Sequence, residues 1–141
     1  YALRLLSYRA RSEKEIYDAL KRKGFDDNII EDTIYYCKEK EYLNDRDFAE
    51  SFVRDKINFS KLGPERIRYE LRLKGISEDI INRVLRVSRD EQFETALELG
   101  KKRIRLYKDD TKDAKYRKLS GFLQRKGYSY EIVSKVLKEL L

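Results

Sequence analysis

The 141-residue chain has no histidine, no methionine, a single cysteine and six glycines that never cluster. Without histidine there is no serine or cysteine triad, no imidazole metal ligand and no imidazole acid–base pair. The lone Cys37 can build neither a Cys/His zinc site nor an internal disulfide, which fits a reducing cytoplasm. It follows Tyr35 and Tyr36 in a helical pattern, so it reads as a packing residue rather than an activated thiol. Glycines placed singly give no phosphate-cradling loop. No stretch approaches the ~18–20 apolar residues of a membrane-spanning helix, and no signal-peptide pattern opens the chain. A chain that starts at Tyr1 and contains no methionine is expected to lack its native N-terminus. The expectations at this stage are no enzyme activity, no cofactor and no membrane.

Charge is abundant. Charged residues make up 42% of the chain and hydrophobic ones 40%, with a net charge of +7 and a pI near 9.4. That balance leaves enough apolar material for a core and favours an anionic partner such as nucleic acid. The many carboxylates read as solvated helix faces, and acid pairs for metal-dependent phosphodiester cleavage are the minor alternative.

One stretch recurs three times. Leu20–Ile30 reads LKRKGFDDNII, Leu71–Ile81 reads LRLKGISEDII and Leu123–Val133 reads LQRKGYSYEIV, at shifts of 51 and 52 residues. In each copy the glycine (Gly24, Gly75, Gly127) falls where a helix would end, and glycine takes the left-handed conformation there without steric cost. Leu20, Leu71 and Leu123 then stand at C3, with Phe25, Ile76 and Tyr128 at C″, the apolar pair of a Schellman ending. Lys23, Lys74 and Lys126 put positive charge at the negative end of the helix dipole. Asp26, Ser77 and Ser129 are good N-caps for a following helix, and the same apolar C″ residue can staple to Ile30, Ile81 or Val133. The repeated stretch is therefore a helix–turn–helix hinge.

Helical periodicity flanks each hinge. Ile16 and Leu20 match Ile67 and Leu71, then Leu119 and Leu123; downstream, Ile29, Ile30 and Ile34 match Ile80, Ile81 and Leu85, then Ile132, Val133 and Leu137. Ser12 with Glu15 makes a capping box, and Pro64 follows Gly63 at the first helical position of the second copy. A further helix precedes each pair: a short one from Ala2, one over Asn44–Ile57 that buries Phe48, Phe52 and Val53, and a longer one over Arg89–Tyr107. The chain thus reads as all-α, with three tandem three-helix (helix–turn–helix-like) repeats over residues 1–43, 44–87 and 88–141, forming an elongated, curved array.

The ordered motifs RSEKEI (Arg11–Ile16), KGF (Lys23–Phe25), YLND (Tyr42–Asp45), FA (Phe48–Ala49) and GPERIRYELRLKGI (Gly63–Ile76) resemble the RecX family, bacterial regulators of the RecA recombinase. The third repeat carries the resemblance mainly in LQRKGY. The resemblance implies a non-enzymatic cytoplasmic protein, monomeric, that lies in the groove of the RecA filament. Such a protein suppresses strand exchange, ATP hydrolysis and coprotease activity in DNA repair and the SOS response. No catalytic motif carries over, since most matching residues are caps and core.

A contact surface is sought in the charge instead. Between Leu99 and Lys126 lie Lys101, Lys102, Arg103, Arg105, Lys108, Lys112, Lys115, Arg117, Lys118, Arg125 and Lys126 against only Asp109, Asp110 and Asp113, so this segment carries +8 and the rest of the chain −1. Such a run is either solvated helix surface or a patch facing DNA phosphates or an acidic filament surface; the second is the expectation here. Tyr107 and Tyr116 interleave with it and either stack on bases or pack on neighbours. Arg66, Arg68, Arg72 and Lys74 form a smaller basic set, read as solvated face. The expected partners are the RecA filament and, in a weak and salt-dependent way, single-stranded or duplex DNA. The alternatives are a stand-alone helix–turn–helix DNA-binding protein and a repeat scaffold that binds protein only. The acidic first turns of the hinge helices, Asp27–Asn28, Glu78–Asp79 and Tyr130–Glu131, disfavour base reading, because recognition helices present that end to the bases.

Repeats that touch mainly their neighbours should give a radius of gyration above the ~14–15 Å of a compact globule of this length. Small-angle scattering that returned the compact value would mean the three repeats fold back into one core.

Overall fold

In a computed structural model describing all residues from Tyr1 to Leu141, the chain forms nine α-helices and no strand. They are α1 (Ala2–Tyr8), α2 (Glu13–Lys23), α3 (Asp27–Glu39), α4 (Asp45–Asn58), α5 (Pro64–Leu73), α6 (Glu78–Val84), α7 (Arg89–Ile104), α8 (Lys112–Arg125) and α9 (Tyr130–Leu140). A 3-10 turn, Arg105–Tyr107, prolongs α7. The helices fall into three successive groups of three, each with a hinge between its second and third helix. Helices and repeats thus follow the apolar periodicity and the hinge glycines.

All three hinges close in the same way. Gly24, Gly75 and Gly127 take φ of 103°, 78° and 101°. The amide of the next residue donates back along the chain to the apolar residue at C3: Phe25 to the Leu20 carbonyl at 3.2 Å, Ile76 to Leu71 at 3.1 Å and Tyr128 to Leu123 at 3.2 Å. The glycine amides donate to Lys21, Arg72 and Gln124 at 3.1, 3.0 and 2.9 Å, which completes a Schellman ending each time. The following helices start on side-chain caps. Asp26 accepts from the Ile29 amide, Ser77 from Ile80 and Ser129 from Ile132.

The chain packs as two compact units, residues 1–53 with 70–84 and residues 54–69 with 85–141, so it passes from one to the other within α4, within α5 and at the end of α6. The first unit closes over Ile16, Leu20, Ile30, Cys37 and Leu43, with Leu5 and Ile34 against them. The second closes over Ala96, Leu119, Leu123, Tyr128, Val133, Val136 and Leu137. Each fully buried Leu, Ile or Val contributes roughly 1.5–3 kcal/mol, so these two clusters are the main favourable term in each unit. Burial pushes the Cys37 thiol up, in keeping with packing rather than reactivity. Some apolar positions of the sequence pattern are less buried than expected, among them Ile29, which is 49% exposed. Phe52 is half-buried and tilted against Phe48, with ring centroids 5.8 Å apart, and Phe25 is 37% exposed where Ile76 and Tyr128 are 4%.

The reason lies in what covers each hinge. In the first unit the hydroxyl of Ser12, the N-cap of α2, accepts from the Glu15 amide and donates to the Lys74 carbonyl at 2.7 Å, inside the second hinge. Ser12 is fully buried there. In the second unit the corresponding cap, Gly63, donates its amide to the Lys126 carbonyl at 2.7 Å, and Glu65 donates to Gly127 at 3.1 Å. Hinge carbonyls of one repeat thus accept from the start of the second helix of the repeat before it, from the Ser12 hydroxyl at the first joint and from open amides at the second. The negative end of one helix meets the positive end of another, which adds a favourable dipole contact. A Cβ on Gly75 would stand 2.6 Å from Lys14 Cβ, and one on Gly127 would stand 2.3 Å from Arg66 Cβ and 2.6 Å from its amide nitrogen. Nothing lies within 4 Å of a Cβ placed on Gly24. The first hinge is a turn only, which leaves Phe25 partly open; the other two are turns and joints.

Glu15 ties the first joint together. Burial works to raise its carboxyl. Hydrogen bonds from Arg9, the Ser12 amide and Lys74 outweigh that and hold it at about 2, below its usual 4.5.

The glycines should therefore separate on substitution. Gly24→Ala bears only the left-handed strain of roughly 1–2 kcal/mol, whereas Gly75→Ala and Gly127→Ala add a clash and should melt lower, Gly127→Ala lowest. Equal melting temperatures for the Gly24 and Gly127 variants would show that the close approach is unimportant. For Glu15, a depressed folded-state value means a stabilisation complete above pH 4.5 and lost as the pH falls toward 2. Glu15→Gln should melt lower than the parent at neutral pH and lose less on acidification through that window. Parallel melting curves across it would show that the carboxylate carries no such linkage.

Candidate nucleic-acid interface

Charge is divided unevenly between the units. Residues 1–53 and 70–84 carry thirteen Lys/Arg and fifteen Asp/Glu, net −2, while residues 54–69 and 85–141 carry twenty and eleven, net +9. All eleven cations singled out from the sequence lie in the second unit, on the last turns of α7, the 3-10 turn, the loop after it, α8 and the third hinge.

Three of the eleven are brought together around two rings. The half-buried Arg103 lays its guanidinium 4.4 Å from the centroid of Phe122 and donates from Nε to the Tyr107 hydroxyl at 3.1 Å. Lys126 places its ammonium 5.9 Å from the same Phe122 centroid and donates to the Ser60 carbonyl at 3.3 Å. Lys118 sits 5.5 Å from the Tyr107 centroid and bonds Asp110 at 2.7 Å. Each ring thus lies among cations, a contact worth ~0.5–1 kcal/mol apiece at an exposed site. Helical spacing explains the grouping on α8: Lys118, Phe122 and Lys126 stand at i, i+4 and i+8, within about 80° of arc.

The remaining cations do not join this cluster. Lys101, Lys102 and Arg103 are consecutive on a helix and fan over about 200°, so they cannot share a face. Lys102 pairs along α7 with Glu98 at 3.6 Å. Arg117 stands about 100° from Lys118. Lys101, Arg105, Lys108, Lys112, Arg117 and Arg125 are exposed and Lys115 is half-buried. Of the two tyrosines in the run, Tyr107 packs against the core of the unit and Tyr116 is 49% exposed.

In the smaller basic set Lys74 and Arg72 meet carboxylates at the second hinge, while the side chains of Arg66 and Arg72 stay exposed. Lys74 pairs with Glu15 at 3.2 Å, Arg72 binds Glu78 with Nη2 3.2 Å from Oε2, and Arg66 lies under Gly127. The acidic first turns of the hinge helices are also engaged. Asp27 accepts from Tyr17 and Lys21, Glu78 from Arg72, and Glu131 pairs with Arg89. Three helix starts that carry paired carboxylates are poorly made for contact with base edges.

One element of this surface is not announced by the sequence pattern. The loop Phe59–Lys61 lies beside the third hinge, held by Lys126 at the Ser60 carbonyl and by the Tyr128 hydroxyl at the Lys61 carbonyl, 2.7 Å away. These partners are 66 and 67 residues apart, beyond the reach of helical periodicity. The local signal is a phenylalanine outside the helical apolar pattern, between Asn58 and Ser60.

Comparison with known proteins matches three consecutive domain families: the first three-helix domain of RecX over residues 1–37, the second over 44–85 and the third over 90–137. The chain is 38% identical over 141 residues to Regulatory protein RecX of Clostridioides difficile, covering 99% of this chain and 66% of that one. It is 40% identical over 138 residues to Regulatory protein RecX of a Geobacillus species, covering 96% of this chain and 51% of that one. The chain therefore spans about half to two thirds of the length of these relatives. The crystal structure of RecX from Lactobacillus salivarius superimposes with a TM-score of 0.85 at 33% identity, covering 99% of this chain and 91% of that one. Matching all three domains in order and nearly end to end, the chain belongs to the RecX family of regulatory proteins.

Proposed function

We propose that the chain is a non-enzymatic regulator that binds the RecA–DNA filament and restrains its recombinase, ATPase and coprotease activities in DNA repair and the SOS response. The basic surface of the second unit would face the phosphates or acidic groups of that filament. Membership of the RecX family supports the regulatory role. The observation that carries the choice of surface is the net +9 of the second unit compared with the net −2 of the first. The engaged acidic starts of α3, α6 and α9 favour backbone contact over a base-reading helix–turn–helix. No helix is long and apolar enough to cross a membrane. The buried, unpaired Cys37 suits a reducing cytoplasm.

Arg103, Lys118 and Lys126 pack on rings, so the test uses exposed cations that do not. Reversing Arg105, Lys108, Lys112 and Arg117 to glutamate should weaken filament binding about tenfold or more at low salt. It should also relieve inhibition of RecA ATP hydrolysis. The slope of log affinity against log salt should flatten by about 0.7–0.9 for each phosphate that is no longer neutralised. Circular dichroism should stay unchanged. Reversal of Arg4 and Arg22 in the first unit is the control. Equal weakening by both sets would mean that the charge acts as a diffuse field; no weakening by either, with inhibition intact, would move the contact to another face.

A further inference from the structure

We propose that Phe59 is a base-stacking residue, and that its loop, with Lys61 and Lys126, binds a single strand of nucleic acid. This rests on the reading of the second unit as an anion-facing surface and names the strand and the residue that surface would hold. Phe59 is 81% exposed, the most exposed large apolar side chain in the molecule. Exposure alone means little for one aromatic residue. What sets Phe59 apart is how firmly its backbone is held while its ring is left in solvent. Its amide donates to the Asp55 carbonyl at 2.9 Å, and the Leu62 amide donates to Lys56 at 3.0 Å. The two carbonyls between are tied to the third hinge by the Lys126 ammonium at 3.3 Å and the Tyr128 hydroxyl at 2.7 Å. Tyr128 is 4% exposed, and burial raises its hydroxyl well above the ordinary value, so it stays a donor at any physiological pH.

The loop is also strained. Lys61 takes φ of 55°, a left-handed conformation for a residue with a Cβ. Such outliers cost energy and persist where the surroundings enforce them, commonly at binding sites. Beside Lys61, Phe59 is left in solvent while the Ser60 and Lys61 carbonyls are held by the hinge. With the backbone held in this way, only the side-chain rotations of the ring remain to be ordered when a flat partner stacks on it.

The chemistry around it selects the partner. Lys61 follows two residues on, and Lys126, whose ammonium also rests on Phe122, reaches the same loop. The flanking acids are Asp55 and Glu65, the latter with its amide bound to Gly127. Cations beside an exposed aromatic match a polymer that alternates phosphate with flat bases. In a duplex the base faces are already stacked on each other, so only a single strand offers both groups together. An acidic protein surface would use the lysines and leave the ring without a role.

The chain contains no tryptophan, so Phe59→Trp introduces a unique reporter. Its emission should be strongly quenched as a twenty-residue oligo-dT saturates the protein, with binding followed independently by anisotropy of a labelled strand. Phe59→Ala should weaken oligo-dT binding about 5- to 100-fold, the range for loss of one stacked base, without changing the salt slope, because a phenyl ring releases no counterions. Lys61→Gln should instead lower the slope by about 0.7. Melting temperature checks that these exposed substitutions leave the fold intact. An unquenched tryptophan at saturation, parent-like affinity of Phe59→Ala, or no binding of oligo-dT by the parent would each overturn the proposal. If Phe59→Ala spares oligo-dT binding but weakens attachment to the RecA filament, the ring contacts protein; the stacking assignment then fails and the filament reading stands.

Discussion

The contact between a hinge carbonyl and the open start of a neighbouring helix is the constraint on which the rest of the structure depends. It appears as Ser12 on Lys74 in one unit and as Gly63 on Lys126 in the other. Each joint gives a hinge carbonyl a donor at the start of a second helix: the Ser12 hydroxyl at the first, and at the second the amides of Gly63 and Glu65, which the helix itself leaves unpaired. Meeting end to end, the helices oppose unlike dipole ends. The approach is so close that a side chain would not fit on Gly75 or Gly127, which ties glycine there to packing as well as to backbone angle.

The joints also locate the surface that this chain has to spare. A cation of the second hinge is drawn into the first of them, Lys74 on Glu15. What remains positive lies on α7, α8 and the turns between, where the tertiary arrangement divides the run. Arg103, Lys118 and Lys126 are steadied on Phe122 and Tyr107, and the others stay in solvent. A surface with some cations packed on rings and most of the others exposed suits a phosphate backbone, which asks for charge at intervals rather than for one rigid geometry. The same third hinge whose carbonyls cap α5 also holds the Phe59 loop through Lys126 and Tyr128. One short segment therefore serves stability on one side and a candidate contact on the other.

Local chemistry was legible in the sequence wherever a residue type has one strong reason to be in place. Glycine after a lysine, an apolar residue next and a Ser or Asp cap beyond it announce a Schellman ending and a new helix, and all three hinges form so. Apolar spacing marked Ile16, Leu20, Ile67, Leu71, Leu119 and Leu123, each of them buried. The end of α3 shows the limit of such signals. It closes with the same backward hydrogen bonds, Tyr42 to the Cys37 carbonyl at 2.8 Å, yet the left-handed residue is Glu41, and no glycine marks the site.

The sequence by itself determined the helices, their caps, the threefold repeat and the excess of positive charge, because each depends on neighbours within a turn or two of the chain. Only the tertiary structure decided which hinge is a bare turn and which is a joint, because Lys14 and Arg66 approach Gly75 and Gly127 from about sixty residues away. It alone divided the basic run into cations packed on rings and cations in solvent, since consecutive helical residues point in different directions whatever their shared charge. The tertiary structure alone also set Phe59 beside Lys126, through bonds between segments more than sixty residues apart. Periodicity reports distance along the chain, and these contacts are made across it.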